Sequence, residues 1–128
     1  MRIAVSATGK DLDSQVDARF GRCFNFLIVE IENGEIKDFK AIENTAATLG
    51  GGAGITAAQL VANEKVDAVI TVNIGPRAFA VLQQLGIDIY QGVGKVRDVI
   101  KQFVEGKLSK LEAPSGPGGL GMGWRGRR

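Results

Sequence analysis

Residues 17–23 hold the side chains best suited to bind a metal ion or an anion. The segment reads Asp-Ala-Arg-Phe-Gly-Arg-Cys and contains the single cysteine of a 128-residue chain. A thiolate is a ligand for soft metals, and the charges of Arg19 and Arg22 are expected to lower the pKa of the Cys23 thiol. Cys23 is therefore our candidate metal ligand. The alternative is that Cys23 is a small buried apolar residue, as free cysteines commonly are.

The composition excludes several familiar kinds of site. The chain has no histidine, which removes the commonest zinc ligand, the usual general base and the Ser-His-Asp type of triad. One cysteine forms no intramolecular disulfide, and an iron-sulfur cluster usually needs about four protein ligands. Any cluster bound here would therefore be transient, shared between subunits or delivered by a partner.

Glycine-rich segments are the second candidate feature, because nine of the 18 glycines fall in loops that we place at one edge of a sheet. Gly51, Gly52 and Gly54 precede or open one predicted helix, and Asn73 and Gly75 precede another. Free N–H groups and the positive dipole end favour anions at a helix amino end. The alternative is that these segments are only connections. Their spacing fits neither the dinucleotide fingerprint nor the P-loop, so no conventional NAD or ATP site is expected.

The first loop contains three aspartates, Asp11, Asp13 and Asp17. A calcium loop of the EF-hand type needs a glutamate at its twelfth position, where this chain has Arg22. We interpret the three aspartates as solvated loop carboxylates.

The net positive charge of the chain comes from its last residues. The net charge is +2, from 16 basic and 14 acidic residues, but three of the basic residues are Arg125, Arg127 and Arg128. Residues 1–113 therefore carry 13 basic and 14 acidic side chains and predict no basic face for nucleic acid. The glycine- and arginine-rich residues 114–128 are predicted to be a disordered tail. An alternative function is that of a nucleic-acid-associated protein, in which Trp124 and these arginines contact RNA.

Hydrophobic patterning predicts one α/β domain over residues 1–113. The predicted strands are 2–7, 25–32, 35–43, 66–72 and 87–91, and the predicted helices are 55–62, 77–85 and a segment from 96 that ends at Gly106. Asn33 and Gly34 form the tight turn of an antiparallel hairpin. No run of about 18 apolar residues exists, and the chain does not start with a long apolar stretch, so we expect a cytoplasmic protein without membrane contact.

This order of elements predicts a five-stranded mixed sheet with strand order 3-2-1-4-5 and only strand 2 antiparallel. Right-handed crossovers then place helices on both faces. The loops that meet at one end of the strands form what we call the strand-end edge, where open α/β sheets bind ligands. The strand-end edge comprises residues 6–9, 17–23, 50–54, 73–75 and 92–94.

Three segments carry a family resemblance. They are residues 16–23, the Gly-Gly-Ala-Gly-Ile run at 51–55, and the Asn-Ile-Gly-Pro-Arg-Ala-Phe run at 73–79. Together with the strand after Cys23, they resemble the dinitrogenase iron-molybdenum cofactor biosynthesis family, which includes NifX-like proteins, the carboxyl-terminal domain of NifB and small stand-alone members. The resemblance covers about residues 1–105, and short tails rich in glycine and arginine are also similar to those of small archaeal members.

The resemblance implies a ribonuclease-H-like α/β/α fold and a non-enzymatic binding or carrier role. The cargo it implies is an iron-sulfur or iron-molybdenum precursor cluster, exchanged with cluster-assembly proteins, and we expect a monomer or a weak homodimer. Arg19 stands where cofactor-binding members often have a histidine, which favours anion binding over metal ligation at that position. The candidate cofactor-binding residues are Arg19, Phe20, Gly21, Arg22, Cys23, Gly51, Gly52, Gly54, Asn73 and Gly75, with Cys23 as the candidate metal ligand.

Overall fold

Six strands and three helices make up residues 1–115, the part of the chain that the computed structural model describes. The elements are β1 (Arg2–Ala7), β2 (Asn25–Glu32), β3 (Glu35–Glu43), α1 (Ala53–Ala62), β4 (Ala68–Thr71), α2 (Pro76–Gln84), β5 (Asp88–Gln91), α3 (Val96–Val104) and β6 (Ser109–Lys110). The first three strands have the predicted bounds. Helix α1 begins two residues earlier than predicted, and β4 is shorter than predicted.

The strands form one mixed sheet in the order β3-β2-β1-β4-β5-β6. Strands β1, β4 and β5 are parallel, and β2 is antiparallel to both of its neighbours, as predicted. The prediction of five strands with only one antiparallel was wrong, because β6 adds a sixth strand antiparallel to β5. The two residues of β6 are exposed and show no apolar pattern, so the pairing itself defines this strand.

Helices cover both faces of the sheet and give the predicted three layers. Helices α1 and α2 pack on one face, where the core includes Phe26, Ile28 and Val69. Helix α3 packs on the other face, over a core that includes Val5 and Ile70. Central strand β1 is buried from Ile3 onward, because both faces of it are covered.

Strand β3 forms a charged outer edge of the sheet, as its polar sequence predicts. Most of its residues are exposed. The backbone N–H of Phe39 donates to the carboxylate of Asp38 at 2.8 Å, and a β-bulge interrupts the pairing with β2 between Glu30 and Ile31. These features reduce the ability of β3 to pair with a further strand.

The last described residues pack against the domain. Pro114 and Ser115 are half-buried, and the N–H of Ser115 donates to the carbonyl of Ile74 at 3.0 Å. Described contacts thus extend two residues beyond the predicted domain end at 113, and the rest of the predicted tail, residues 116–128, lies outside the described residues. Within residues 1–115, no helix is long and apolar enough to cross a membrane.

Candidate functional site

The loop before β2 is held against the loop after β4 by backbone pairing. The N–H of Phe20 donates to the carbonyl of Asn73 at 3.2 Å, and the N–H of Asn73 donates to the carbonyl of Ala18 at 3.1 Å. The Phe20 ring is buried and lies 5.1 Å from the ring of Phe26, which anchors the loop in the core. Arg19 therefore lies beside Asn73, and its side chain is 65% exposed.

Gly21 allows this loop to touch the start of α1. A Cβ at Gly21 would lie 3.1 Å from both the N and the Cα of Gly54, which are backbone atoms that cannot rotate away. Gly54 in turn lies close to α2, since a Cβ there would be 3.4 Å from the Cβ of Ala78. The candidate loop and the amino ends of α1 and α2 are thus neighbours.

Neither of these two helix amino ends is capped by a side chain. Helix α1 follows Gly52, whose φ of 73° is left-handed and suits glycine, and α2 follows Gly75, with Pro76 in its first turn. Gly51 is exposed, and an added Cβ there would meet no atom within 4 Å. Uncapped first-turn N–H groups and the positive ends of two helix dipoles therefore face the strand-end edge.

The amino end of α3 differs from those of α1 and α2. The N–H of Val96 donates to the carbonyl of Ser14, and the N–H of Arg97 donates to the carbonyl of Leu12, both at 2.8 Å. The first loop thus supplies protein acceptors to α3. Only α1 and α2 offer their amino ends to a ligand within the described part of the strand-end edge.

Arg22 holds the loop between β3 and α1. Its Nη1 donates to the carbonyl of Ala47 at 3.1 Å and also to the carbonyl of Leu49. These bonds fix the chain just before Gly50. Arg22 is therefore a positioning residue for the glycine-rich segment.

Cys23 lies in the core beneath the loop. It is fully buried, and its Sγ donates to the carbonyl of Phe20 at 3.4 Å. Burial raises the pKa of the Cys23 thiol to about 12, and the nearby charge of Asp17 adds to this effect. The expectation that Arg19 and Arg22 lower this pKa was wrong, because desolvation of the buried thiol dominates and the Arg22 guanidinium bonds to the carbonyls of Ala47 and Leu49 instead. Residues 1–115 contain no group of three or more Cys, Asp or Glu side chains that could hold a metal ion.

Comparison with known proteins identifies the family. The model of the family described as dinitrogenase iron-molybdenum cofactor matches residues 1–106, which is most of the chain. The chain belongs to this family. An uncharacterised protein of Methanocaldococcus jannaschii is 50% identical over 101 residues, which cover 78% of this chain and 86% of that protein. The apo form of the orange protein from Desulfovibrio gigas is 36% identical with a TM-score of 0.84, covering 90% of this chain and 96% of that one.

Two further residues of this family member shape the site and were not among its predicted residues. Asn44 is buried, and its Nδ2 donates to the carbonyls of Gly21 at 3.1 Å and Cys23 at 2.8 Å. Its Oδ1 accepts the N–H of Ala46 at 3.1 Å, so one side chain joins the two loops. The Asx turn from Asn44 to Ala46 is a local signal, but no local pattern marks the two carbonyl partners, which lie more than 20 residues earlier.

Asp17 is the second such residue. Its interpretation as a solvated carboxylate was wrong, since it is buried and its Oδ1 accepts the N–H of Arg19 at 2.9 Å. An aspartate that binds the N–H two residues later forms an Asx turn, and this spacing is the signal that could have identified it. Asp11 and Asp13 are exposed, as expected. The Asp17 side chain thus fixes the backbone conformation at Arg19.

Proposed function

We propose that this chain is a non-enzymatic binding or carrier protein that holds a compact anion at the strand-end edge. The cargo would be an iron-sulfur or iron-molybdenum precursor cluster or an anion of similar size. The observation that carries the proposal is the pair of uncapped helix amino ends at Gly52 and Gly75, brought together beside Arg19. Backbone N–H groups at such ends bind anions without needing any titratable side chain.

The proposed binding mode is electrostatic and uses N–H groups and guanidinium groups. Arg19 is mostly exposed, and Arg77 is exposed in the first turn of α2. Gly51, Gly52 and Gly54 would let an anion approach the backbone at the start of α1. Asn73 and Gly75 would do the same at the start of α2.

The buried thiol fits this mode better than covalent ligation. Cys23 is fully buried and its Sγ donates to the carbonyl of Phe20, so a metal ion could reach the sulfur only if the loop rearranged, and the raised pKa of the thiol adds to the cost of forming a thiolate. A preassembled cluster that brings its own sulfur would need only charge and hydrogen bonds from the protein. Cluster-assembly proteins are accordingly the partners that we propose for loading and unloading.

The family and one similar structure support a cargo of this kind. The family description names the iron-molybdenum cofactor. The similar Desulfovibrio gigas structure is the apo form of the orange protein, that is, the form without its ligand. Both observations concern relatives, and we extend them to this chain as part of the proposal.

The test is an anaerobic titration with tetrathiomolybdate, a compact molybdenum-sulfur dianion that absorbs visible light, alongside a mixture of ferrous iron and sulfide. We expect the chain to retain a chromophore on desalting. Arg19→Gln should weaken binding about fivefold, the effect of removing one partly exposed charge pair. Lys37→Gln removes one charge from the far end of the sheet and should leave binding unchanged.

Cys23→Ala separates the two ways of holding the cargo. We expect it to bind tetrathiomolybdate as the unaltered chain does. Loss of the chromophore in a folded Cys23→Ala variant would show that the thiol is a ligand and would contradict the electrostatic mode. Absence of any retained chromophore on the unaltered chain, with either reagent, would contradict the proposed function itself.

A further inference from the structure

A polar side chain at the start of β2 is buried without a hydrogen-bond partner in the described part of the chain. This residue is Asn25, which is 6% exposed. Hydrogen bonds do hold the four other buried polar side chains of that part, which belong to Ser6, Asp17, Asn44 and Thr71. Buried amides are nearly always paired, because an unpaired one loses its bonds to water without compensation. The Asn25 amide therefore lacks a partner that a ligand could supply.

The pairing of the strands directs the Asn25 side chain into a cleft next to the strand-end edge. Asn25 is paired with Ala7 of β1 and with Glu43 of β3, and directly paired residues point to the same face of a sheet. Ala7 belongs to the core beneath α3, so Asn25 and Glu43 point to the face that α3 covers. A cleft of about 480 Å³ lies there between Lys10 of the first loop and Thr45 of the loop after β3, and both Asn25 and Glu43 line it.

An exposed aromatic ring lies beside the unpaired amide. Phe24 also lines the cleft and is 63% exposed, which is unusual for a phenylalanine. A planar amide offers a donor and an acceptor side by side, and this pair matches the edge of a nucleobase. Proteins bind single nucleobases by stacking them on exposed aromatic rings and by hydrogen bonds to their edges. Phe24 and Asn25 together supply both kinds of contact.

Charged groups of both signs line the same cleft. Lys10 and Glu43 are exposed, and neither forms an ion pair with another residue of the range 1–115. A carboxylate accepts hydrogen bonds from ribose hydroxyls, and a lysine ammonium group binds phosphate. The volume of the cleft falls in the range of small-molecule sites, about 300 to 1,000 Å³. The cleft thus has the size and the groups for one nucleotide.

We propose that this cleft binds a mononucleotide, with its base stacked on Phe24 and hydrogen-bonded to the Asn25 amide. Glu43 accepts from the sugar hydroxyls, and Lys10 contacts the phosphate. The glycine-rich loops take no part, so the site needs none of the glycine fingerprints of conventional nucleotide-binding proteins. The inference goes beyond the proposed function and does not rest on it, because none of these four side chains belongs to the anion site.

The first experiment is a calorimetric titration of the unaltered full-length chain. The reagents are the four nucleoside 5′-monophosphates with adenine, guanine, cytosine or uracil, and ribose 5-phosphate, which has no base. We expect at least one nucleotide to bind with a Kd below about 1 mM. Ribose 5-phosphate should bind at least about tenfold more weakly, because it cannot stack on Phe24.

Substitutions at Phe24 test the stacking contact. Phe24→Leu keeps an apolar side chain but removes the ring, and it should weaken nucleotide binding about tenfold. Phe24→Tyr keeps the ring and should bind as the unaltered chain does. Phe39→Leu is the matched control, since Phe39 is a 37% exposed ring on β3 outside the lining of the cleft, and it should leave the affinity unchanged.

Substitutions at the polar groups test the other contacts. Asn25→Leu keeps the size of the side chain and removes the amide, and it should weaken nucleotide binding about tenfold. This variant should fold, because the amide that it removes holds no described group in place, and circular dichroism checks this. Lys10→Gln should weaken binding of the nucleotide about threefold and leave binding of the corresponding nucleoside unchanged.

Nuclear magnetic resonance reports on the amide itself. The Nδ2 signal of Asn25 is identified by its absence from the spectrum of Asn25→Leu, and it should shift as nucleotide is added. The Nδ2 signal of Asn63, an exposed residue at the end of α1, should not move. A shift at Asn25 that saturates with the calorimetric affinity would place the base at this amide.

Several results would overturn the nucleotide site. One is the absence of binding by all four nucleotides to the unaltered chain, and another is equal affinity of the unaltered chain and Phe24→Leu. Equal binding of ribose 5-phosphate would reduce the contact to phosphate alone, and much tighter binding of a trinucleotide would assign the cleft to RNA. Loss of nucleotide binding in Arg19→Gln would move the ligand to the anion site. Failure of tetrathiomolybdate to bind would instead reject only the proposed function.

Discussion

The stability of this protein should decline above pH 9 because of a single buried thiol. Cys23 is fully buried, and burial raises its pKa to about 12 from an ordinary value of 9.0. As the pH rises, the unfolded chain therefore loses the thiol proton before the folded chain does. The stability contributed by the buried thiol is complete below about pH 9 and is lost as the pH approaches 12.

The size of the effect follows from the difference between the two pKa values. One pKa unit corresponds to about 1.4 kcal/mol, and nearly all of the first unit is lost between pH 8 and pH 10. We expect the contribution of Cys23 to the free energy of unfolding to fall by roughly 1 kcal/mol over that range. The comparison is made with a variant that differs only at Cys23, so that every other ionisable group contributes equally to both chains.

The assay is urea denaturation of the unaltered chain and of Cys23→Ala at pH 8 and at pH 10, followed by far-ultraviolet circular dichroism. Cys23→Ala should be less stable at pH 8 by about 1 to 2 kcal/mol, because the lost sulfur leaves a small cavity. At pH 10 that deficit should disappear or reverse. A deficit that is equal at the two pH values would refute the assignment of Cys23 as a buried, protonated thiol.

Two further predictions concern the contacts that position the site. Asn44→Ala should lower the free energy of unfolding by about 3 kcal/mol in urea denaturation, because it leaves buried carbonyls of the loop without donors. The control is Asn63→Ala at an exposed position, which should change the free energy of unfolding by less than about 0.5 kcal/mol. Equal effects of the two substitutions would contradict the role of Asn44 in holding the loop. Gly21→Ala should lower the free energy of unfolding by about 1 to 2 kcal/mol and weaken tetrathiomolybdate binding, because its methyl group would press on the backbone of Gly54. Gly50→Ala is the control for stability, since its methyl group meets no atom within 4 Å, and unchanged binding by Gly21→Ala would contradict the close approach.

The architecture could be predicted because its signals are local. Short runs of apolar and β-forming residues and the Asn33-Gly34 turn define the first three strands, and the crossover rule then fixes the order of the first five. Strand β6 could not be predicted, because two exposed residues have no pattern of their own and become a strand only through pairing with β5. The start of α1 at Ala53 was missed for a related reason, since two of the residues before Ile55 are glycines that lack a helical signal.

The candidate site was predictable as a set of loops but not as a set of side-chain directions. The topology alone brings Arg19 beside Asn73. The orientation of Cys23 depends on the long-range bonds of Asn44 and on the packing of the Phe20 ring, neither of which the local sequence specifies. By residue type only Phe24 is unexpected, because it is 63% exposed, whereas the burial of Cys23 is common for a free cysteine.

The charged edge strand β3 has a consequence for how the protein behaves at high concentration. Ordered fibrils grow when an open strand accepts another chain along its free backbone groups. Here the N–H of Phe39 is occupied by the carboxylate of Asp38, and Lys37 and Lys40 place charge along the same strand. The open β3 edge thus resists templated aggregation at high concentration.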